Sequence, residues 1–158
     1  METAIKQAVR EITWPEKTFI IRRTTMPFDK LPDFFKESYG AIYGALAGKG
    51  IRPTEMPCAF YYSINEVKKE TELAAAVPVS ADTPEIAGFE KVTFPPSKLI
   101  TTTHIGSYES MGVPYGTMEK YLAENKLRKG LVIEEYFSDP EVEKDASQWK
   151  TNIYFMVE

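Results

Sequence analysis

The chain carries an internal repeat, and this repeat limits its architecture more than any other feature of the sequence. Tyr39-Gly40 recurs as Tyr115-Gly116, 76 residues further along. Leu46-Ala47 recurs as Leu122-Ala123 at the same offset. Hydrophobic periodicity predicts the order strand, helix, strand, strand in each half. Half of a 158-residue chain is too small to bury its own apolar face. Two copies related by a pseudo-twofold axis would bury it jointly, which predicts an α+β fold with an antiparallel sheet and a ligand groove between the halves.

These patterns predict one domain over residues 1–158, with half-repeats at roughly 17–80 and 88–158. Residues 4–13 fit either a helix or an edge strand, and we interpret them as extended. Tyr62 falls against Tyr136 at an offset near 74, which indicates small insertions between the elements. Strands are predicted at residues 17–24, 57–64, 70–79, 89–94, 98–105, 131–137 and 150–157, and helices at 27–47 and 113–125.

Charge and residue counts argue against several classes of function. The net charge is -4, with 19 basic residues scattered among 23 acidic ones, whereas duplex binding needs clustered Lys and Arg. With only Cys58 and His104, the chain lacks an internal disulfide and the usual zinc ligand sets. A Cys58–His104 dyad is the alternative, but we expect His104 to be structural. No apolar run reaches a membrane span or a signal peptide. We therefore expect a cytoplasmic protein with no membrane, metal or cofactor.

Two adjacent glutamates lie in the predicted strand at 131–137. Side chains alternate along a strand, so Glu134 and Tyr136 share one face and Glu135 lies on the other. A central strand would hold at least one carboxylate among apolar neighbours, and the alternation does not decide which. The alternative is an exposed edge strand, or an ion pair of Glu134 with one of three arginines, Arg22, Arg23 or Arg52.

Three ordered motifs in the second half carry a resemblance to a known family. Residues 104–109 read HIGSYE, residues 133–140 read IEEYFSDP, and residues 149–154 read WKTNIY. They resemble the His-x-Gly-x-Tyr-Glu, Trp-Glu-x-Tyr with Asp-Pro, and Trp-x-Thr-x-Ile-Tyr motifs of GyrI-like proteins. This family includes the effector-binding domain of AraC-type and MerR-type multidrug regulators. Ile133 stands where the family often has Trp, which implies a reshaped pocket wall, and Met156 stands where Pro is common.

The resemblance implies a small-molecule-binding domain. We expect a stand-alone module, since we find no helix-turn-helix region in the sequence. The resemblance assigns Glu134 as the acid or base, and we expect Tyr108 or another tyrosine to be the proton donor. Aromatic residues make up 13% of the chain, more than a small core needs, so some should line a pocket. The expected ligand-binding residues, which could equally belong to the core, are Tyr62, Phe60, Tyr136, Trp149 and Tyr154.

The chemistry of a poorly hydrated glutamate leads to two functions. Desolvation raises a glutamate pKa by up to about 3 to 5 units. A lipophilic cation would restore the lost solvation and stack on rings, each contact adding roughly 0.5 to 2 kcal/mol. A glutamate with a raised pKa can also activate water as a general base, and the resemblance implies hydrolases that open strained cyclopropane rings of toxins. We expect a lipophilic or cationic cytotoxic compound as partner and no direct nucleic acid binding. The alternatives are a non-catalytic drug sink or effector sensor and, as the family name implies, a DNA gyrase inhibitor.

Overall fold

The computed structural model describes residues 8–138 and 142–158. Within these ranges it contains eight strands and two α-helices, together with short 3-10 turns. In chain order the elements are β1 (Arg10–Trp14), β2 (Lys17–Pro27), α1 (Leu31–Gly48), β3 (Cys58–Asn65), β4 (Glu70–Val79), β5 (Glu90–Phe94), β6 (Ser97–Ile105), α2 (Gly112–Glu124), β7 (Lys129–Tyr136) and β8 (Lys150–Val157). None of the helices in the described ranges is both long enough and apolar enough to cross a membrane.

The chain divides into two compact units. The first, Pro15–Pro96, is called here the Tyr39 unit. Its antiparallel strands are ordered β3-β4-β2-β5. One face of helix α1 is buried at every fourth position, as a helix of 3.6 residues per turn requires, through Phe34, Ser38, Ile42 and Leu46. This face packs in one hydrophobic cluster with Ile20, Leu73, Ala75 and Val77 of the sheet.

The second unit consists of two segments, the chain up to Trp14 and Ser97–Glu158, and is called here the Glu134 unit. Its antiparallel strands are ordered β1-β6-β8-β7. Helix α2 buries Pro114, Met118 and Leu122, which lie 76 residues after Ser38, Ile42 and Leu46 of α1. The buried face of α2 packs with Ile100, Ile153 and Phe155. The predicted α+β fold with two repeated halves is therefore confirmed.

Each repeat takes its edge strand from a distant part of the chain. Strand β1 precedes β2 but pairs with β6, and β5 precedes β6 but pairs with β2. Strand β1 confirms the extended interpretation for residues 10–13, whereas residues 1–7 and 139–141 lie outside the described residues. The helix predicted from residue 27 begins at Leu31, because β2 continues to Pro27 and a 3-10 turn over Phe28–Lys30 follows it.

One predicted correspondence between the repeats is wrong by one residue. Tyr61, not Tyr62, lies on the face that the helix of its unit covers, as Tyr136 does in the other unit. Tyr61 pairs with Leu73 and packs in the cluster beneath α1. The register of β3 with β4 shifts between Tyr61 and Ser63. Because neighbouring strand residues point to opposite faces, a shift of one residue moves a side chain to the other side of the sheet.

Candidate functional site

Glu134 lies on the face of β7 that α2 covers. Val132, two residues earlier on the same face, packs in the cluster beneath α2. Tyr115 of α2 donates its hydroxyl to Oε2 of Glu134, and Tyr136 donates to Oε1 at 2.6 Å. Each oxygen of this carboxylate therefore has its own tyrosine donor.

No described lysine or arginine pairs with Glu134. Arg22 contacts Glu37 at 3.6 Å, and Arg23 contacts Glu72 at 2.7 Å, so neither forms the ion pair that was the alternative for Glu134. Burial raises the pKa of Glu134 above its ordinary value of 4.5. The hydrogen bonds from the two tyrosines, and a positive charge on His104 whenever its ring is protonated, lower the pKa by smaller amounts. The carboxylate is thus desolvated and only partly compensated.

A loop folds over His104 at the end of β6. His104 is buried, and its Nε2 atom lies 2.9 Å from the carbonyl oxygen of Ser107 and 3.0 Å from Oγ of Ser110. Gly106 has a φ of 138°, and a Cβ atom built there would lie 3.5 Å from Nε2. The positive φ explains why a glycine stands two residues after the histidine in this motif, since a Cβ at 3.5 Å would be in ordinary van der Waals contact.

A series of aromatic rings leads from Glu134 towards solvent. The ring of Tyr108 lies 5.9 Å from that of Tyr136 and 4.8 Å from that of Trp149. Tyr108 is 41% exposed, whereas Tyr136 is partly buried against Glu134. Trp149 is held by a hydrogen bond from Nε1 to the carbonyl of Glu143 at 2.7 Å. The structure therefore brings together four of the predicted site residues, Glu134, Tyr108, Tyr136 and Trp149.

Tyr154 lies on the opposite face, with Glu135. The Tyr154 hydroxyl donates to Oε1 of Glu135 at 2.6 Å, and Nδ2 of Asn152 contacts the same oxygen at 3.3 Å. The ring of Tyr154 is 4.8 Å from that of Trp14. Glu135 is only 8% exposed, so the less exposed of the two adjacent glutamates lies on this face, while Glu134 on the other face is partly exposed. Tyr154 as a ligand-binding residue of the Glu134 site therefore stays a prediction.

Phe60 and Tyr62 belong to the Tyr39 unit. Phe60 is fully buried, 5.0 Å from the ring of Phe19. The guanidinium of Arg23 lies 3.7 Å above the centre of the Tyr62 ring. Their roles in ligand binding stay predictions. None of the predicted site residues lines the open groove of about 420 Å³ between β2 and α1, whose charged lining residues are Arg22, Arg23, Lys30, Asp33 and Glu37.

Sequence reasoning missed Tyr115 as a partner of Glu134. The signal was present, because Tyr115 begins the repeated Tyr-Gly pair of the two helices. Among the described residues, no group of three His, Cys, Asp or Glu side chains could hold a metal ion. Cys58 is buried, and its thiol contacts the carbonyl of Met56 at 3.7 Å.

The repeated halves define a module of α+β class. The chain belongs to the family described as the GyrI-like small molecule binding domain, whose model matches residues 7–158. No curated protein matches the chain. Inhibition of DNA gyrase, a cytoplasmic location, the half-repeat boundaries and the predicted groove stay predictions.

Solved structures share this fold at low sequence identity. The C-terminal domain of EcmrR aligns with a TM-score of 0.82 and 18% identity, over 96% of this chain and 97% of that one. The present chain also aligns with EcmrR in a solved EcmrR–DNA complex, where it spans 57% of the EcmrR chain. A hydrolase encoded by lin2189 from Listeria innocua aligns with a TM-score of 0.69 and 14% identity, over 97% and 93% of the two chains. SAV2435 bound to tetraphenylphosphonium aligns with a TM-score of 0.67 and 13% identity, over 96% and 94%.

Proposed function

We propose that this chain binds lipophilic or cationic small molecules at Glu134 and hydrolyses a strained, cyclopropane-type electrophile there. The observation that carries the proposal is a desolvated carboxylate whose described partners are two tyrosine hydroxyls and no cation. Two neutral hydrogen bonds replace only part of the hydration that a carboxylate loses on burial. A cationic ligand would supply the missing charge, and for this reason it should bind.

The rings beside the carboxylate support a lipophilic ligand. Tyr136, Tyr108 and Trp149 offer aromatic faces between Glu134 and the surface, and a cation above such a face gains roughly 0.5 to 2 kcal/mol per contact. Tetraphenylphosphonium, the compound bound to SAV2435 in its solved structure, combines a cation with four rings. It is therefore a suitable first ligand for this chain.

The same carboxylate supports general base catalysis, because burial raises its pKa towards neutrality. In the proposed step, Glu134 removes a proton from water, the water oxygen bonds to a cyclopropane carbon, and the strained C–C bond breaks. The electron pair of that bond moves into the electron-withdrawing group conjugated to the ring, which takes a proton from a tyrosine. The tyrosine recovers its proton from the Glu134 carboxylic acid, so one water molecule is added in total.

Tyr136 fits the donor role better than Tyr108. The Tyr136 hydroxyl lies 2.6 Å from Glu134 and can recover its proton directly, whereas Tyr108 touches Tyr136 through its ring. Similarity to the lin2189 structure, which is described as a hydrolase, supports testing this chemistry. Tyr108 as the proton donor is the alternative.

Titration calorimetry with tetraphenylphosphonium tests the binding site. Wild type should bind, and Glu134→Gln should bind at least tenfold more weakly, because the variant keeps the shape of the side chain but loses its charge. Glu135→Gln is the matched control, since it makes the same change one residue away on the opposite face. Equal affinity in wild type and Glu134→Gln would contradict the proposed site.

Mass spectrometry of a cyclopropane bearing a conjugated carbonyl group tests the reaction. Wild type and Glu135→Gln should add one water to the compound, and Glu134→Gln should not. Binding without turnover in all three proteins would instead support a non-catalytic drug sink or effector sensor. The description of the family, which names small-molecule binding and no reaction, supports this second function.

A further inference from the structure

Two buried polar atoms on the Glu134 face have no described hydrogen-bond partner. They are Nδ1 of His104, a residue 4% exposed, and Oγ1 of Thr151, which is fully buried. Burying a polar atom without a partner is costly, and native structures rarely contain such atoms. Two of them together point to a polar group that is not part of the protein.

The strand register places these atoms in the same row as the Glu134 site. Thr151 of β8 pairs with His104 of β6 on one side and with Tyr136 of β7 on the other. All three side chains lie on the face that α2 covers, and Tyr136 donates its hydroxyl to Glu134. The row therefore extends the site from Glu134 across the sheet to His104.

The contacts of His104 fix its tautomer. A carbonyl oxygen can only accept a hydrogen bond, so the 2.9 Å contact with the Ser107 carbonyl requires a proton on Nε2. The Nδ1 atom of the neutral ring then carries a lone pair and can only accept. The hydroxyl of Thr151 can both donate and accept. The two residues together match a ligand O–H group, which donates to Nδ1 and accepts from Thr151.

We propose that Nδ1 of His104 and Oγ1 of Thr151 form a hydroxyl-binding subsite of the Glu134 site. The inference rests on the proposed function and names the chemistry of what binds beside the carboxylate. The O–H group belongs either to a ligand hydroxyl or to the water that attacks the substrate. In both cases these two side chains orient it and do not take part in the bond changes.

A matched pair of cations, one with and one without a hydroxyl group, tests whether the subsite binds a ligand hydroxyl. Wild type should bind (4-hydroxyphenyl)triphenylphosphonium about three- to tenfold more tightly than tetraphenylphosphonium, the range that one well-placed hydrogen bond gives. His104→Gln and Thr151→Val should reduce this ratio to about one. Glutamine keeps a nitrogen at the position of Nε2 and so keeps the bond to Ser107, but it has no atom equivalent to Nδ1. Thr101→Val is the control, because Thr101 Oγ1 is also buried without a described partner but lies on the opposite face; this variant should keep the wild-type ratio.

Turnover of the cyclopropane compound tests whether the subsite holds the water that attacks the substrate. If the subsite holds the attacking water, the two cations bind wild type equally, and His104→Gln and Thr151→Val lower kcat at least tenfold with KM unchanged. Equal cation affinities together with unchanged kcat in both variants overturn the subsite and leave the proposed function standing. If wild type neither binds a cation nor turns over substrate, the proposed function fails.

The tautomer can be measured without any ligand. His104 is the only histidine in the chain, so its 15N signals need no assignment by mutation. We expect a protonated Nε2 and an unprotonated Nδ1 near pH 7.5. A proton on Nδ1 would overturn the subsite even if Glu134 binds cations. Circular dichroism of both variants distinguishes a lost subsite from a lost fold.

Discussion

The two repeat units enclose different interiors beneath their helices. In the Glu134 unit, a polar row crosses the sheet under α2. In the Tyr39 unit, the strand pairing places an apolar residue at two of the matching positions. When the two units are aligned with Tyr61 set against Tyr136, the strand registers match Thr24 with His104, Leu73 with Thr151 and Ala59 with Glu134. Leu73 and Ala59 are both fully buried.

The repeated tyrosines show what the fold needs and what the site adds. Tyr39 donates its hydroxyl to the backbone carbonyl of Cys58 at 2.5 Å, while Tyr115 donates to the side chain of Glu134. A helix tyrosine over the sheet is therefore compatible with either a backbone or a carboxylate acceptor. Leu73 and Ala59 occupy the matching positions in the Tyr39 unit, which has the same fold. The fold therefore does not need Thr151 or the Glu134 carboxylate for packing. Polar residues that make a core harder to form are expected where function needs them.

The largest effect should come from placing a carboxylate in the apolar unit. Ala59→Glu would put a charge at a fully buried position, next to a tyrosine whose hydroxyl already has an acceptor. A buried charge without a partner costs several kcal/mol. We expect urea unfolding at pH 7 to show a loss of at least about 4 kcal/mol, or no folded protein.

A size-matched variant separates charge from volume in this test. Ala59→Met adds a side chain of similar length without charge, and overpacking of this kind costs typically about 1 to 3 kcal/mol. The Glu variant should therefore be less stable than the Met variant at pH 7, and the difference should shrink at pH 4, where the carboxyl is protonated. Equal stability of the two variants at pH 7 would mean that the Tyr39 unit tolerates a carboxylate as well as the Glu134 unit does.

The next effect is the pH dependence of stability that Glu134 causes. Burial raises its pKa in the folded protein above the ordinary 4.5. As pH rises from 4.5 towards the folded pKa, the unfolded chain loses this proton first. The free energy of unfolding should therefore fall, by at most about 1.4 kcal/mol per pH unit, and level off above the folded pKa. Glu134→Gln should lack this fall.

Urea unfolding of wild type and Glu134→Gln between pH 4 and pH 8 measures the difference directly, because the contributions of all other titrating groups cancel in it. The stability of the variant relative to wild type should increase over this range. A constant difference would show that the carboxyl titrates as it does in the unfolded chain, and the contrast between the two units would then lose its electrostatic basis.

Much of the fold could be predicted from the sequence because its signals are local. The Tyr-Gly and Leu-Ala pairs recur at an offset of 76, and the buried helix positions follow the same offset. Strands at 70–79 and 150–157 have the predicted bounds. The pairing of the edge strands β1 and β5 could not be predicted, because it joins residues about 70 to 90 positions apart and leaves no periodic signal.

The candidate site could be predicted only in part. Strand alternation showed that one of two adjacent glutamates would be buried, and the family motif selected Glu134. Alternation could not reveal that Glu135 is the less exposed of the two glutamates, because that depends on Tyr154 and Asn152 of the neighbouring strand. The shift of register between Tyr61 and Ser63 moved the match for Tyr136 by one residue, and no sequence pattern marks a bulge of this kind.

The smallest effect, and the most direct comparison, comes from removing the two matching hydroxyls. Tyr115→Phe and Tyr39→Phe should each cost roughly 0.5 to 1.5 kcal/mol in urea unfolding, the usual contribution of one hydrogen bond. Only Tyr115→Phe should change the titration of Glu134, raising its pKa further, because the lost bond stabilises the ionised form. NMR titration of the Glu134 carboxyl carbon measures this, with Tyr39→Phe as the control. If the Glu134 pKa were the same in all three proteins, the Tyr115 hydroxyl would serve α2 packing as Tyr39 serves α1, and the carboxylate would depend on Tyr136 alone.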